Sequence, residues 1–329
     1  MTPRDLAAPA AVTLALCVTP FVGLDGALLN LLIFMMIIAL AAQGWNILGG
    51  FGGLASFGHA AFFGTGAYAT AILQTKAGLG AWPSLFAGVA LGAAVGAFIG
   101  FLSFRSGLRG SYFALITLAF AEVLRIASNS AEITGGAAGI LVRLDYGFWN
   151  MQFEDRRWFA VLAVICVGLS LALVRWMERA RFGARLIAVR ENEEAARALG
   201  VDVFRVKMGA ITLSAGVTAL AGCLYAQNFL FLDAQVAYGS WISIEALFAA
   251  IVGGLGTLFG PLIGAVVLLG VGEITKAVVG GVPGVDLVVF GVLLILTVAF
   301  APGGLAGLAE RLGFKRPGAK RIGLKGGRA

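Results

Sequence analysis

Charge is scarce in this chain. Only 12% of its 329 residues are Asp, Glu, Lys or Arg, about half the share of an ordinary soluble domain. Histidine occurs once, as His59, and cysteine three times. A His/Cys metal cluster therefore cannot be built, nor a disulfide framework. Cys17, Cys166 and Cys223 each lie in an apolar run, where a thiol acts as a small hydrophobe. No G-x-x-x-x-G-K-[ST] motif occurs, so the chain cannot cradle ATP phosphates itself. With a single His, no nucleophile–base–acid set is available, and the chain reads as a non-enzyme. Gly64-Thr-Gly-Ala-Tyr-Ala69 matches a dinucleotide fingerprint in form only, because no strand precedes it.

What is present is apolar. Sixty per cent of the residues are AVILMFWYC, and the mean hydropathy is +0.94. One soluble core cannot hold that much apolar surface, since too little polar surface remains to cover it. The runs are apolar on every face, unlike the alternating strands of a membrane barrel. A helix crossing the hydrocarbon core needs about 20 such residues. Gly26–Thr75 is free of charge for 50 residues, and Gly49, Gly50, Gly52 and Gly53 divide it. Gly253-Gly-Leu-Gly256 and Gly260-Pro261 divide a later run.

The sequence thus predicts a single all-α polytopic membrane domain over 1–329. About ten transmembrane helices are expected, near 6–24, 27–48, 54–75, 82–104, 109–128, 158–175, 207–230, 241–257, 261–279 and 285–302. The third and eighth are Gly-rich enough to be broken or re-entrant. The first apolar stretch reads as a retained helix, since no small-x-small cleavage site follows Val22.

Basic residues set the orientation. Eight of the 24 lie between Arg175 and Lys207, and seven more between Arg311 and Arg328. Positive loops stay in the cytoplasm, so loop 176–206, the basic tail 303–329 and both termini are expected there. The tail fits anionic lipid head groups better than nucleic acid.

Loop 176–206 is unlike the rest of the chain. Helix formers fill 184–199, Gly200 is a C′ stop and Asp202 an N-cap for the next span. A helix of about four turns is expected. Leu186, Val189, Ala196 and Leu199 would form its apolar stripe, bordered by Arg190, Glu191, Glu193, Glu194 and Arg197. Ala195 and Ala196 leave room for a partner backbone. The residues alone leave two readings open, a connecting helix and a helix that docks in a groove of a partner.

Ionisable residues inside spans are functional candidates. Glu122 and Arg125, one turn apart, read as a self-neutralising structural pair, and Glu245 and Glu273 as interfacial. Ser56, Gly58, His59, Gly64 and Gly66 are candidates for a translocation path, through backbone groups exposed by broken helices. The alternative is close packing by the glycines and a hydrogen-bonded structural histidine.

Glu194-Ala-Ala-x-x-x-Gly200 resembles the EAA loop of ABC importer permeases. Four other blocks narrow the likeness. They are Gly53-Leu-Ala-Ser-Phe-Gly-His-Ala-Ala-Phe-Phe-Gly-Thr-Gly-Ala-Tyr68, Leu108-Arg-Gly-Ser-Tyr112 with its continuation to Glu122, Thr134-Gly-Gly-Ala-Ala-Gly139, and Gly253-Gly-Leu-Gly-Thr-Leu-Phe-Gly-Pro-Leu-Ile-Gly264. Together, over residues 28–303, they resemble the LivM/LivH permeases for branched-chain amino acids, on the M side. The resemblance implies a permease subunit of an ATP-driven importer in a bacterial inner membrane. It implies a second, LivH-like permease, two cytoplasmic ATPases and a periplasmic binding protein as partners, with ATP and magnesium on the ATPases and no cofactor on this chain. Arg190, Glu191, Glu194, Ala195, Ala196 and Gly200 would then form the ATPase-coupling loop. Related permeases serve urea, amides or aromatic acids. An autonomous secondary transporter would instead carry carboxylates near the midplane and need no partner helix.

Overall fold

The computed structural model describes residues 3–279, 284–301 and 303–311. The tail from 312 onward, and with it most of the basic segment 303–329, lies outside the described residues. Helices dominate: α1 (Pro3–Val18), α2 (Gly26–Trp45), α3 (His59–Thr75), α4 (Ala81–Arg105), α5 (Gly110–Ser130), α6 (Arg156–Arg179), α7 (Arg181–Glu191), α8 (Glu193–Ala198), α9 (Val203–Phe229), α10 (Ala234–Ala237), α11 (Ser240–Gly253), α12 (Gly260–Val279), α13 (Val285–Phe300) and α14 (Gly304–Arg311). The β structure is slight. β1 (Ile140–Leu141) pairs antiparallel with β2 (Phe231–Leu232) at the end of the bundle opposite α7 and α8.

Among the described residues, seven helical segments are long and apolar enough to cross a membrane. They are Gly26–Phe51, Ala81–Arg105, Gly110–Ser130, Arg156–Arg179, Val203–Phe229, Ala234–Gly253 and Gly260–Val279. α1, α3 and α13 occupy the remaining expected places but are shorter, at 16, 17 and 16 residues.

α9 is the axis. It packs against α4, α3 and α2, while α11 and α12 lean on the other side of α2 and α1 lies along α6. The α4–α9 seam follows from glycines four apart on one helix face. Methyl groups at Gly92 and Gly96 would overlap the Cβ atoms of Ala219 and Ala215. One at Gly88 would stand 2.8 Å from Cys223 Sγ, and one at Gly100 2.6 Å from Ile211 Cγ2. Each step of four on α4 meets a step of four back on α9. Hydrophobic driving force between helices is weak in lipid, and such small-residue seams supply dispersion contact instead.

The second span does not end as an α-helix. Asn46–Phe51 continues α2 as a π-helical turn, and α3 begins only at His59. The stretch between them is irregular, with Gly52, Leu54, Ser56 and Gly58 buried and Gly53, Ala55 and Phe57 exposed. Gly53 adopts φ +66°, a conformation costly for other residues. α3 is about 25 Å long, short of the ~30 Å hydrocarbon thickness. Similarly, α11 stops at Gly253, and 254–259 turns the chain into α12.

Candidate functional site

The connection between α6 and α9 folds as two helices, not as the single helix expected over 184–199. The break is at Asn192, whose backbone is extended at φ −158° and ψ 108°. Its side chain accepts hydrogen bonds from the N–H groups of Glu194 and Ala195, both at 3.0 Å. That N-cap, with Glu193 and Glu194 in the first turn, starts a new helix. α8 ends as expected on Gly200, at φ +82°. Gly200 N–H donates to Arg197 O and Val201 N–H to Ala196 O, each at 3.0 Å, the paired bonds of a Schellman stop. Asp202 caps α9 by accepting from Arg205 N–H at 3.0 Å.

The break also resets the apolar phase. Leu186, Val189 and Ala196 are buried, but Leu199 is 86% exposed. Ala195 is exposed as well, beside Glu194 and Ala198. α8 therefore turns Ala196 inward and presents a bare, mixed surface outward.

The inner side of α7–α8 is tied to the bundle at three points. Arg190 donates to Gly50 O at 2.9 Å, on the π-turn that ends the second span. The same guanidinium holds Glu191 Oε1, at 2.6 Å from Nη2. Glu193 pairs with Lys207 on α9 and with Arg109, 3.5 Å away, at the start of α5. Lys207 is buried, with its ammonium 5.7 Å from the Phe104 ring centroid. Glu193, Lys207 and Arg109 are functional candidates that local sequence reasoning did not single out for this role. Asn46 extends the link by accepting from Gly256 N–H at 2.8 Å and donating to Thr257 O at 3.0 Å. Gln43 donates to Leu258 O at 2.9 Å, so α2 holds the 254–259 turn beside Arg190.

The second set of candidates lies at the start of α3. His59 is fully buried, with Nε2 2.9 Å from Ser214 Oγ. Ser214 donates to Gly44 O at 2.7 Å, so its oxygen is left to accept and His59 Nε2 carries the proton. The histidine thus braces α3 against α9 and α2. Ser214 lies 11 residues from Val203, about 16 Å along α9 and near its middle. Ser56 is buried, its carbonyl accepting from Trp45 Nε1 at 2.8 Å and its hydroxyl from Gly58 N–H at 3.2 Å. Ala60 N–H, at the first turn of α3, is taken by Ser243 Oγ at 2.8 Å. The three glycines sit in packed surroundings. Methyl groups on Gly58, Gly64 and Gly66 would overlap Thr117 O, the Tyr238 ring and Ala219 O respectively.

At the opposite end, a cavity of about 320 Å³ opens between the α5–α6 loop and the end of α9. Tyr146, Gln152, Glu154, Arg156 and Gln227 are among its lining residues. Glu122 and Arg125 do pair on α5, with Arg125 Nε 2.9 and 3.0 Å from the carboxylate oxygens. They do so on an outward face, with 52% of the Glu122 side chain and 22% of the Arg125 side chain exposed.

A family model described as "branched-chain amino acid transport system / permease component" matches residues 27–298, most of the chain. The chain belongs to this permease family. It is 31% identical over 297 residues to the high-affinity branched-chain amino acid transport system permease protein LivM of Escherichia coli (strain K12), covering 82% of this chain and 68% of LivM. LivH of the same strain is 25% identical over 288 residues, 83% of this chain and 92% of LivH. BraD of Pseudomonas aeruginosa is 31% identical over 152 residues, 46% of this chain and 47% of BraD. No solved structure matches. The family segment takes in α2 to α12, and so includes α7, α8 and their three ties.

Proposed function

We propose that this permease is the LivM-like membrane subunit of an ATP-driven importer for branched-chain amino acids in a bacterial inner membrane. Its partners are a LivH-like permease, two cytoplasmic ATPases and a periplasmic binding protein that delivers the substrate. ATP and magnesium are held by the ATPases, and the chain itself performs no catalysis. Ten spans cross the bilayer, with the end that carries α7, α8, α14 and the basic residues in the cytoplasm.

The observation that supports coupling is the two-sidedness of α8. Its outer surface of Glu194, Ala195, Ala198 and Leu199 is bare, with small side chains that permit close approach and charges that can set register. The inner side of α7–α8 reaches the second span through Arg190 on α7 and Gly50, α9 through Glu193 on α8 and Lys207, and α5 through Arg109. A push on α8 is therefore delivered to three spans as units, the kind of rigid displacement that alternating access needs. In this reading Glu194, Ala195 and Gly200 serve the ATPase contact, Arg190 and Ala196 hold α8 on the membrane domain, and Glu191 orients Arg190. Ser56, Gly58 and His59 bound the irregular entry of α3 and Gly64 and Gly66 lie within the helix, and a path along them requires α3 to move from α5, α9 and Tyr238.

Reconstitution of the permease pair with its ATPases and binding protein tests the assignment. ATP-dependent leucine uptake is expected, and Ala195→Glu should abolish it while both permeases remain assembled in the membrane. Uptake driven by an ion gradient without ATPases would reject the importer reading.

A further inference from the structure

Backbone strain and unpaired polar atoms converge on one cavity at the outer end of the bundle. Among the described residues, Met151 and Leu230 are the two non-glycine residues with positive φ, at +53° and +58°. Residues with a Cβ adopt that region at a cost, and such strain gathers where ligands are held. Both line the cavity of about 320 Å³ between the α5–α6 loop and the end of α9. Gln227 lines it too. It is 3% exposed, yet neither its amide nitrogen nor its amide oxygen meets a hydrogen-bond partner among the described residues. The next residue, Asn228, leaves its amide nitrogen without a partner as well. Three such buried atoms at one helix end are costly unless a further group pairs with them.

The walls of the cavity are fixed. Val142 N–H donates to Leu230 O at 2.7 Å beside the β1–β2 pairing, and Trp82 Nε1 donates to Phe148 O at 2.9 Å. Arg156 Nη2 donates to Asn228 Oδ1 at 2.9 Å, so the start of α6 is held to the end of α9. Gln152, another buried amide, is satisfied inside its own loop by Asp145 N–H at 2.6 Å and Arg143 O at 3.1 Å. Gln227 has no such local partner. The rest of the lining sorts by chemistry. Glu154 and Arg156 bring opposite charges two residues apart, and Glu154 has no ion-pair partner among the described residues. Met151, Phe159 and Leu230 give an apolar side. Gln227 lies 24 residues from Val203, about 36 Å along α9, at the end far from α8. Tyr146, Glu154 and Arg156 are exposed there, so a solute can enter from solution.

We propose that this cavity binds a free α-amino acid with an apolar side chain, at a site separate from the α3 residues. Arg156 and the amide nitrogens of Gln227 and Asn228 meet the carboxylate. Glu154 and the amide oxygen of Gln227 meet the ammonium group, and Met151, Phe159 and Leu230 meet the side chain. Opposite charges at one mouth favour a zwitterion over an anion or a cation. A volume of about 320 Å³ is small for a ligand site and suits a single small molecule. The inference rests on the importer reading for the choice of leucine as probe, and adds to it a second site on the outer end of this chain.

The test uses the assembled permease complex in lipid, without binding protein, and tritiated leucine as the probe. Saturable binding is expected. Gln227→Leu removes the amide at similar volume and should raise the leucine Kd roughly tenfold, the order expected when a hydrogen bond to a charged group is lost. Its thermal midpoint without leucine should hold or rise, because a buried amide without a partner has been removed. Should that midpoint fall instead, Glu154→Gln at the exposed mouth carries the test. Glu154→Gln should weaken leucine roughly tenfold and leave competition by 4-methylpentanoate, which lacks the ammonium group, unchanged. Absence of binding, or leucine binding that neither substitution alters, overturns the site and leaves the amides to water. Equal weakening of both ligands by Glu154→Gln overturns the ammonium contact. ATP-driven leucine uptake by the unaltered complex is scored separately. Its absence alongside Gln227-dependent binding would refute the importer reading and leave the site standing.

Discussion

Substitution of Gly200 isolates backbone strain from crowding. No atom lies within 4 Å of a Cβ built on this residue, so a side chain there meets no obstacle. What it meets is φ +82°, a left-handed conformation that costs an L-residue about 1–2 kcal/mol and a β-branched residue the most. The six residues of α8 cannot absorb that cost through propensity, because so short a helix is unstable alone. Its remaining support includes the Asn192 cap, the buried Ala196 and the pairs of Glu193 with Lys207 and Arg109. Gly200→Ala should therefore cost about 1 kcal/mol and Gly200→Val about 2, lowering the equilibrium constant for capped α8 roughly 5-fold and 30-fold. Apparent ATPase affinity should fall by up to the same factors, since it scales with the competent fraction. Gly200→Asn, which tolerates the left-handed region, should stay close to wild type. The assay is ATPase binding to the reconstituted permease pair, with substrate-stimulated ATP hydrolysis as the functional readout. Wild-type binding by Gly200→Val refutes the reasoning. So does a loss in Gly200→Asn as large as that in Gly200→Val, because the effect would then not be conformational.

Three further outcomes follow from the geometry. Gly92→Leu should disrupt the α4–α9 seam and lower the thermal midpoint in detergent, whereas Gly216→Ala, with its nearest neighbour 3.7 Å away, should be neutral or gain up to about 1 kcal/mol; equal midpoints would contradict the seam. Asn46→Leu leaves Gly256 N–H and Thr257 O without their partner, at about 1–3 kcal/mol, and should loosen the 254–259 turn, read as faster protease cleavage there. Cysteines at Ser130 and Leu199 lie at opposite ends of the bundle, so an impermeant reagent outside intact cells should label Ser130→Cys and spare Leu199→Cys; the reverse pattern would invert the orientation.

The boundaries that local chemistry sets were legible in the sequence. Charge-free runs coincide with most of the long helices, though α5 carries Glu122 and Arg125; Gly49–Gly53 and Gly253–Gly256 marked the interruptions, and Gly200 and Asp202 a stop and a start. Asn192 also carried a signal, a capping residue followed by two glutamates. Strong helix formers on both sides outweighed it, and a stripe extended through the break placed Leu199 inward. Once a cap starts a new helix, the 3.6-residue phase no longer carries over from the old one.

Non-local partners were not legible in the same way. His59 meets Ser214 across 155 positions, Arg190 meets Gly50 across 140, and Glu193 draws Arg109 and Lys207 to one point only after α5, α8 and α9 have packed. The Glu122–Arg125 pair shows where the division falls. Spacing on one helix dictates that the two charges meet, and it does so within a single turn. Which way the pair looks depends on the faces that α3 and α4 claim, since α5 buries Phe113, Thr117 and Ala121 against the bundle and must turn the opposite side outward. A pair that the sequence reads as self-sufficient is therefore turned outward by tertiary packing, with 52% of the Glu122 side chain exposed.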